Sequence, residues 1–424
     1  MEKIAFVVYY QKNNIYSFNA LIGALETEEE LDDIKYYFIR GSENLVNKLE
    51  SICDNHQKVV LGISFFTPQL WEINELLKSL QVKYKGRVLF IAGGPHPTGD
   101  PEGTLKMGFD IVVVGEGEET LIEILSNVKN DKKLDAIRGI ASFNKDKILI
   151  TTKRRKWIDL DKYPPLPVKN VKFGAIEITR GCPFACYFCQ TPYILGTLPR
   201  HRSIKSICNA VNVMKSYDKT DIRFITPNAF SYGSSNGKSL NIPLLEKLLI
   251  EVTKIIKPKG KIYLGSFPSE VRPEHVTKET LGLILKYAAN DNIVLGAQSG
   301  SQKVLDSCNR GHSIKDVYNA VNLTLEAGLI PKVDFIFNLP GETEEDIELT
   351  IDFMYKISDM GAKIHSHTFM PLPLTRFAYE DVKDVDEKII KAISKLSSQG
   401  LAYGEWKKQE KIAKDISKYL KKMN

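Results

Sequence analysis

Along the first 130 or so residues, short runs of apolar and β-branched side chains alternate with stretches in which apolar positions recur every three or four residues. That alternation is the pattern of strands covered by amphipathic helices. It predicts strands over residues 4–9, 36–39, 59–64, 88–92 and 111–114. Helices or helical connections are predicted over 17–25, 43–52, 70–80, 100–107 and 118–125. Five such strands make a doubly wound α/β sheet, whose ligands bind at the carboxyl ends of the strands. Between residues 135 and 172 the pattern changes to two short β-like pieces, the basic run Lys153-Arg154-Arg155-Lys156, and then Pro164-Pro165-Leu166-Pro167. Prolines that close together block helix and central strand alike, so this stretch reads as a linker.

Strand and helix patterns resume beyond it. Strands are predicted over 175–178, 222–226, 261–265, 293–297, 332–337 and 363–369, with helices over 203–215, 243–256, 278–289, 315–327 and 344–358. Ser313 before Asp316, and Thr343 before Asp346, have the spacing of an N-terminal cap with an acidic third residue. Six βα units predict an incomplete parallel barrel with its chemistry at the strand carboxyl ends. Past residue 384 the chain is a lysine-rich helical tail, broken near residues 400–404, in which Ile389, Ile393, Leu396, Ile412, Ile416 and Leu420 recur at helical spacing. The predicted domains are therefore 1–134, a linker 135–172, a barrel 173–383 and a helical extension 384–424.

Composition narrows the class. The chain has 424 residues, 43% hydrophobic and 26% charged, as in globular proteins. Its net charge of +6 comes from 58 basic and 52 acidic side chains, too even a balance for a nucleic-acid footprint. The four-residue basic run reads as a solvated face. The opening apolar run is too short for a signal peptide, and no run is long enough to cross a bilayer, so a cytoplasmic location is expected. Of six cysteines, Cys53, Cys208 and Cys308 are scattered, which fits a reducing compartment.

The other three cysteines carry the candidate chemistry. Thr179-Arg180-Gly181-Cys182-Pro183-Phe184-Ala185-Cys186-Tyr187-Phe188-Cys189 follows a strand-like run and can aim three sulfurs at one point. Thiolates bind zinc or iron–sulfur clusters, and a fourth cysteine at matching spacing is missing. A four-iron cluster on three thiols keeps one iron free for another ligand. Alternatively, His201 or a distant cysteine completes a structural zinc site.

The Cys-x3-Cys-x2-Cys loop resembles that of the radical S-adenosylmethionine (SAM) enzymes. The resemblance implies that Cys182, Cys186 and Cys189 hold a [4Fe-4S] cluster whose open iron chelates SAM. One electron then cleaves SAM to a 5′-deoxyadenosyl radical, and a ferredoxin or flavodoxin is the implied donor. Phe188 matches the aromatic beside the adenine. Gly296-Ala297-Gln298-Ser299-Gly300-Ser301, followed by Arg310, resembles the same family's segment at the fourth strand, which implies SAM contacts for Gln298, Ser299 and Ser301. The stretch through Asn338-Leu339-Pro340-Gly341-Glu342-Thr343 resembles its fifth-strand segment, with Asn338 in place of glycine. Asn228, Ser266, Glu270 and Arg272 occupy further positions at strand ends. Met370-Pro371-Leu372-Pro373-Leu374-Thr375 resembles the sixth-strand segment, with Leu374 replacing a glycine.

In the first domain, Gly93-Gly94-Pro95-His96 after the fourth strand and Gly115-Glu116-Gly117 after the fifth permit close backbone approach. With Ser64 and Thr67 after the third strand, they resemble the cobalamin-binding domain of one branch of radical SAM enzymes. Cobalamin-facing positions are thereby implied at Ser64, Thr67, Gly93, Gly94, Pro95, His96, Gly115, Glu116 and Gly117. The loop after the first strand, residues 10–16, contains no histidine, so the resemblance implies a corrinoid without a lower histidine ligand from that motif. A lone histidine such as His96 reads as a surface residue rather than a metal ligand. No GxGxxG follows the first strand, which argues against a nicotinamide site.

The leading expectation is a cobalamin-dependent methyltransferase acting on an unactivated carbon. Radical cyclisation, rearrangement or methylthiolation without cobalamin is a second reading. A metal-stabilised nucleic-acid-binding protein is a third, from another class. The substrate is not legible.

Overall fold

A computed structural model describes residues 2–152 and 157–422, arranged as two compact units, Met1–Gly174 and Ala175–Asn424. The basic run 153–156 lies outside the described residues.

The first unit is one seven-stranded sheet. Its strands are β1 (Glu2–Tyr9), β2 (Lys35–Ile39), β3 (His56–Ser64), β4 (Val88–Gly93), β5 (Ile111–Val113), β6 (Ile140–Phe143) and β7 (Leu149–Thr151), in the order β2-β1-β3-β4-β5-β6-β7. The first five are parallel. A parallel sheet is covered on both faces, which explains why β1 reads as a continuous apolar run and is buried from Ile4 to Tyr9. Ile4, Phe6 and Val8 pack with Phe18, Ile22, Ile124 and Leu125 in the main core cluster. The order reverses beside β1, so the carboxyl ends of β1 and β3 form the switch point where doubly wound sheets bind ligands.

Residues 135–172, expected as a linker, belong to this unit. β6 and β7 extend the sheet antiparallel to β5, and Ile137 and Ile140 are fully buried in the core cluster. The proline-rich piece is docked too. The Glu26 carboxylate accepts hydrogen bonds from the backbone N–H groups of Val168 (2.6 Å), Lys169 (2.8 Å) and Asn170 (2.8 Å). A Cβ on Gly23 would lie 2.8 Å from the Pro164 carbonyl oxygen, so helix Ile15–Leu25 and this segment meet backbone to backbone. Proline does prevent helix and central strand here, but an extended segment can still be anchored by one carboxylate that collects three N–H groups.

In the second unit the strands are β8 (Ile176–Glu177), β9 (Thr179–Arg180), β10 (Arg200–His201), β11 (Asp221–Ile225), β12 (Lys261–Tyr263), β13 (Asn292–Gln298), β14 (Ile330–Phe337), β15 (Lys363–Thr368) and β16 (Ala402–Tyr403). Parallel pairing gives the arcs β12-β11-β8 and β13-β14-β15-β16. Val294 N–H donates to the Gly265 carbonyl (2.9 Å) and Val271 N–H to the Val294 carbonyl (2.8 Å), which joins the arcs past β12. The six expected strands are present. A further parallel strand, β16, occupies the expected break near residues 400–404, between helices Glu387–Ser398 and Trp406–Lys421. At two residues it is too short to show a strand period. Both predicted caps form: Ser313 with Asp316 and Thr343 with Asp346 exchange hydrogen bonds as capping boxes. Among the described residues no helix is long and apolar enough to cross a membrane.

Gly23→Ala is expected to cost about 1–3 kcal/mol through overpacking against the Pro164 carbonyl. Limited proteolysis checks the cause: residues 164–170 become cleavable in the variant before the rest of the chain does.

Candidate active site

The cysteine loop leaves β9 and returns through β10, which pairs antiparallel with it. Gly181 turns the chain at φ +87°, and a Cβ there would sit 2.3 Å from the Leu198 carbonyl oxygen, so no larger residue fits. Cys182 N–H donates to the Gly196 carbonyl and Cys189 N–H to that of Cys186, each at 3.0 Å. From across the barrel end, the Cys308 carbonyl accepts from Tyr187 N–H (3.0 Å), and Asn309 Nδ2 donates to the Phe184 carbonyl (2.7 Å). All three loop cysteines are free. Burial pushes the Cys182 thiol up and that of Cys189 up to about 11, favouring the neutral thiol until a metal supplies positive charge.

Two arginines stand over this loop. Arg310 Nη1 donates to Cys186 Sγ (3.6 Å) and its Nη2 to the Gly296 carbonyl (2.7 Å). The Arg272 guanidinium lies 3.4 Å above the Phe184 ring and donates to the Arg310 carbonyl. Gly296 is required beneath Arg310, because a Cβ would come within 2.4 Å of Nη2. Ser266 Oγ, at the end of the third barrel strand, is buried and makes no hydrogen bond among the described residues. Glu270 stays open to solvent although protein surrounds it, so it lines the barrel interior. Burial and the nearby Asp334 push its carboxyl upward, against the opposing pull of Arg310 and His365.

The predicted SAM contacts divide. Gln298 is buried at φ +77° next to Gly296 and Arg310. Ser299 and Ser301 are instead committed to the protein. Ser299 Oγ lies 3.2 Å from Thr350 Oγ1, and Ser301 Oγ donates to Asp346 Oδ1 at 2.6 Å. They lock the fourth-strand turn onto helix Glu344–Met360. Burial of Asp346 opposes ionisation, but hydrogen bonds from Ser301 and Thr343 outweigh it and hold the carboxyl well below the usual range. Phe188 packs beside a cluster of Val304, Cys308, Leu339, Phe369 and Phe377. Asn228 is turned inward, accepting from Arg272 N–H (3.3 Å) and contacting His275. Asn338 has φ +62°, the conformation expected for a residue replacing glycine, and its Nδ2 donates to the Lys383 carbonyl (2.8 Å). Leu374, also at a glycine position, takes φ +72°.

The second expected site lies on the first unit. A Cβ on Gly93 would meet open space, whereas one on Gly94 (φ +97°) would lie 2.7 Å from Ser64 Oγ. Gly115 also has positive φ, and its N–H donates to Thr98 Oγ1 (3.1 Å), tying together the loops after β4 and β5. Glu116 accepts from Ile158 N–H (2.9 Å). A Cβ on Gly117 would lie 3.1 Å from a Leu21 methyl. Pro95 opens helix Pro95–Gly99. His96 is no surface residue: it is fully buried, with Nδ1 3.2 Å from Thr67 Oγ1 and its ring against Phe65. Burial lowers it to about 4, so it is neutral at pH 7. Ser64, Thr67 and His96 thus shape the loops from inside. Sequence reading missed Asn14, which is buried where the histidine motif is absent. Its Nδ2 donates to the Tyr9 (3.0 Å) and Ser64 (2.9 Å) carbonyls, binding the first loop to β3.

Residues 176–354 match the radical SAM superfamily and residues 18–125 match the B12 binding domain. The chain carries a radical SAM domain preceded by an N-terminal B12-binding domain. An uncharacterized methyltransferase of Pyrococcus horikoshii is 26% identical over 370 residues, covering 84% of this chain and 76% of the relative. A putative methylthiotransferase of Methanocaldococcus jannaschii is 30% identical over 279 residues, 64% of this chain and 58% of that protein. Among solved structures, the methyltransferase TsrM of Kitasatospora setae, with cobalamin and [4Fe-4S] cluster bound, has a TM-score of 0.68 at 14% identity, covering 89% of this chain and 77% of that one. The cobalamin-dependent SAM radical enzyme OxsB has 0.64 at 18%, covering 84% of this chain but only 52% of its own. These two likenesses show the fold.

The radical SAM domain implies a [4Fe-4S] cluster and SAM, and the B12-binding domain implies cobalamin. The donor set fits the cluster. Three free thiols lie within eight residues, and the Arg310 guanidinium donates to Cys186 Sγ, so the loop offers three thiolate ligands beside a cation. His201 cannot complete a zinc site as it stands: Nδ1 faces Thr179 Oγ1 (2.9 Å) and Nε2 faces the Ser234 carbonyl (2.8 Å). The unpartnered Ser266 hydroxyl fits a ligand with polar groups. The open space over Gly93 and the absence of a histidine from residues 10–16 fit a corrinoid without a lower histidine from that loop.

Asp346→Asn is expected to destabilise the second unit by about 2–3 kcal/mol, read from denaturant unfolding, since it weakens the bonds from Ser301 and Thr343. His96 gives a pH effect of known sign. Its folded pKa lies below the ordinary value, so the unfolded chain binds the extra proton between about pH 6.5 and 4. His96 therefore adds stability above pH 6.5 that is lost as pH falls through that window, on the order of 3 kcal/mol. His96→Gln is expected to flatten this part of the stability profile.

Proposed function

We propose that this protein is a cobalamin-dependent radical SAM methyltransferase that methylates an unactivated carbon. The supporting observation is that one chain carries both a three-thiol loop lacking a fourth ligand and a glycine-lined sheet end with space above Gly93. With the groups bound, the cysteine loop would hold the cluster for reductive SAM cleavage and the glycine-lined sheet end would hold the corrinoid for methyl donation.

The chain's own residues then have distinct tasks. Cys182, Cys186 and Cys189 hold the cluster, and Arg310 beside Cys186 offsets its negative charge. Ser266 and Gln298 bind the polar amino-acid end of SAM and Phe188 borders its adenine, while Arg272 is paired with Glu274 (2.5 Å) and braces Arg310. Ser299 and Ser301 keep the fourth-strand turn in shape. Gly93, Gly94, Pro95, Gly115, Glu116 and Gly117 form the corrinoid cradle, with Ser64, Thr67 and His96 supporting it from below. A small reductant protein such as ferredoxin or flavodoxin supplies the electron, and the work is done in the cytoplasm without nucleic acid. The M. jannaschii relative favours methylthiolation as a second reading. Against it, Cys53, Cys208 and Cys308 form no second loop that could hold an auxiliary cluster.

Reconstituted protein with corrinoid, reductant, methyl-labelled SAM and an extract of the host's small molecules and macromolecules tests the proposal. S-adenosylhomocysteine together with a labelled product is expected, and Cys186→Ala abolishes deoxyadenosine formation by at least about 100-fold. Deoxyadenosine without methylated product would overturn methyl transfer.

A further inference from the structure

Three side chains with no part in the proposed function converge inside the second unit. Asp334 on β14 is the register partner of His365 on β15, and His367 lies two residues further along the same face of that strand. Asp334 Oδ1 and His365 Nδ1 are 2.8 Å apart, His365 Nδ1 and His367 Nε2 3.1 Å, and His367 Nε2 and Asp334 Oδ1 4.0 Å. Two donors bonded to one transition-metal ion at about 2.0–2.1 Å are themselves about 2.9–3.4 Å apart. The triangle is already close to that spacing. Among the described residues it is the one set of three metal-ligating groups whose atoms all lie within 4.8 Å of one another.

Hydrogen bonding alone serves this arrangement badly. His365 Nδ1 faces both a carboxylate oxygen and a ring nitrogen, yet it carries either one proton or one lone pair. Thr368 N–H donates to Gln409 Oε1 (2.9 Å), which leaves Gln409 Nε2 as the atom 3.2 Å from His367 Nδ1. His367 Nδ1 is then the acceptor, and its proton sits on Nε2, aimed at His365 Nδ1. That in turn makes His365 Nδ1 an acceptor, pointed lone pair to lone pair at the Asp334 carboxylate. A cation at the point of convergence removes the conflict, since all three atoms can then offer lone pairs.

The surroundings suit such an ion. The Asp334 side chain is 7% exposed, while those of His365 and His367 are 30% and 29% exposed, leaving room for a water or a substrate oxygen on the open side. Glu270 lies near enough to interact with both Asp334 and His365. Tyr403 stacks on His365 with ring centroids 4.5 Å apart and holds the imidazole plane.

We propose that Asp334, His365 and His367 bind one divalent first-row transition-metal ion, in a two-histidine, one-carboxylate site whose ligands are distinct from the cysteines. The ligands are borderline nitrogen and hard oxygen donors, the set that takes zinc or ferrous iron rather than calcium. Binding turns the His367 proton to Nδ1, so Gln409 has to present an acceptor there and its amide can serve only one of its two neighbours. A carboxylate at 409 would accept from both Thr368 N–H and His367 Nδ1–H, the arrangement that strengthens metal-bound histidines.

The test uses full-length protein with its cluster reconstituted, so that the three loop thiols are occupied, and adds Zn2+ as the probe. The expected result is one zinc bound beyond the cluster iron, with X-ray absorption showing nitrogen and oxygen neighbours and no sulfur. His365→Ala/His367→Ala is expected to lose that zinc while keeping iron content and cooperative melting. Gln409→Glu is expected to tighten zinc about tenfold. No bound zinc in the wild type, sulfur in its shell, or zinc retained by the double variant would each overturn the proposal. Should the double variant lose its iron or its cooperative melting, Gln409→Glu decides alone, and unchanged or weaker affinity counts against the site.

Discussion

The second unit depends on a half-buried cation next to the thiols. The Arg310 guanidinium joins Cys186 Sγ to the Gly296 carbonyl, while its backbone carbonyl receives Arg272, so the cysteine loop, the third-strand loop and the fourth-strand turn meet through one residue. A guanidinium drawn partly out of water gains from nearby negative charge, and a Cys186 thiolate is placed to supply it. The relation is mutual. Burial favours neutral thiols, and positive charge beside them favours the thiolates that hold a metal. Gly296 follows from the same contact, since any Cβ there would displace the guanidinium.

Each of the two units uses parallel strands in the same way. In a parallel sheet all strand carboxyl ends lie on one edge, so separate loops are brought together without any one of them having to form a site alone. In the first unit Asn14, Ser64, Gly94 and Thr98 interlock the loops after β1, β3, β4 and β5. In the second, Asn309, Ser301 and Asp346 do the same between the cysteine loop, the fourth strand and the fifth. Many polar residues at these ends hold loop to loop rather than facing a ligand. That is why Ser299, Ser301, Asn228 and His96 are buried among protein partners.

Much of this was legible in the sequence. Strand and helix periods located the five parallel strands of the first sheet and six of the barrel, because these elements are long and their buried faces regular. The Cys182-Cys186-Cys189 spacing and the glycine runs at 93–94 and 115–117 stood out because cysteine and glycine in such patterns have few other uses. What escaped depends on contacts distant in sequence. β16 is too short for periodicity, and the docking of residues 164–170 rests on the single carboxylate of Glu26. Asn14 looks like an ordinary polar residue until its partner 50 positions away is in place, and Arg310, named in the fourth-strand segment, shows its contact with Cys186 only in the fold. His365 and His367, two apart on a predicted strand, did carry a local signal of a shared face. Asp334 completed it only through the register of β14 with β15.

The central claim is that one chain holds both a SAM-cleaving cluster and a corrinoid. Anaerobic purification from cobalamin-supplied cells, followed by iron, sulfide and corrinoid analysis with an absorption spectrum, tests it most directly. The account predicts about four irons and one corrinoid per chain, with the corrinoid spectrum lacking the features of a lower histidine ligand. Zinc in place of iron on the cysteine loop, or iron without any corrinoid, would contradict it.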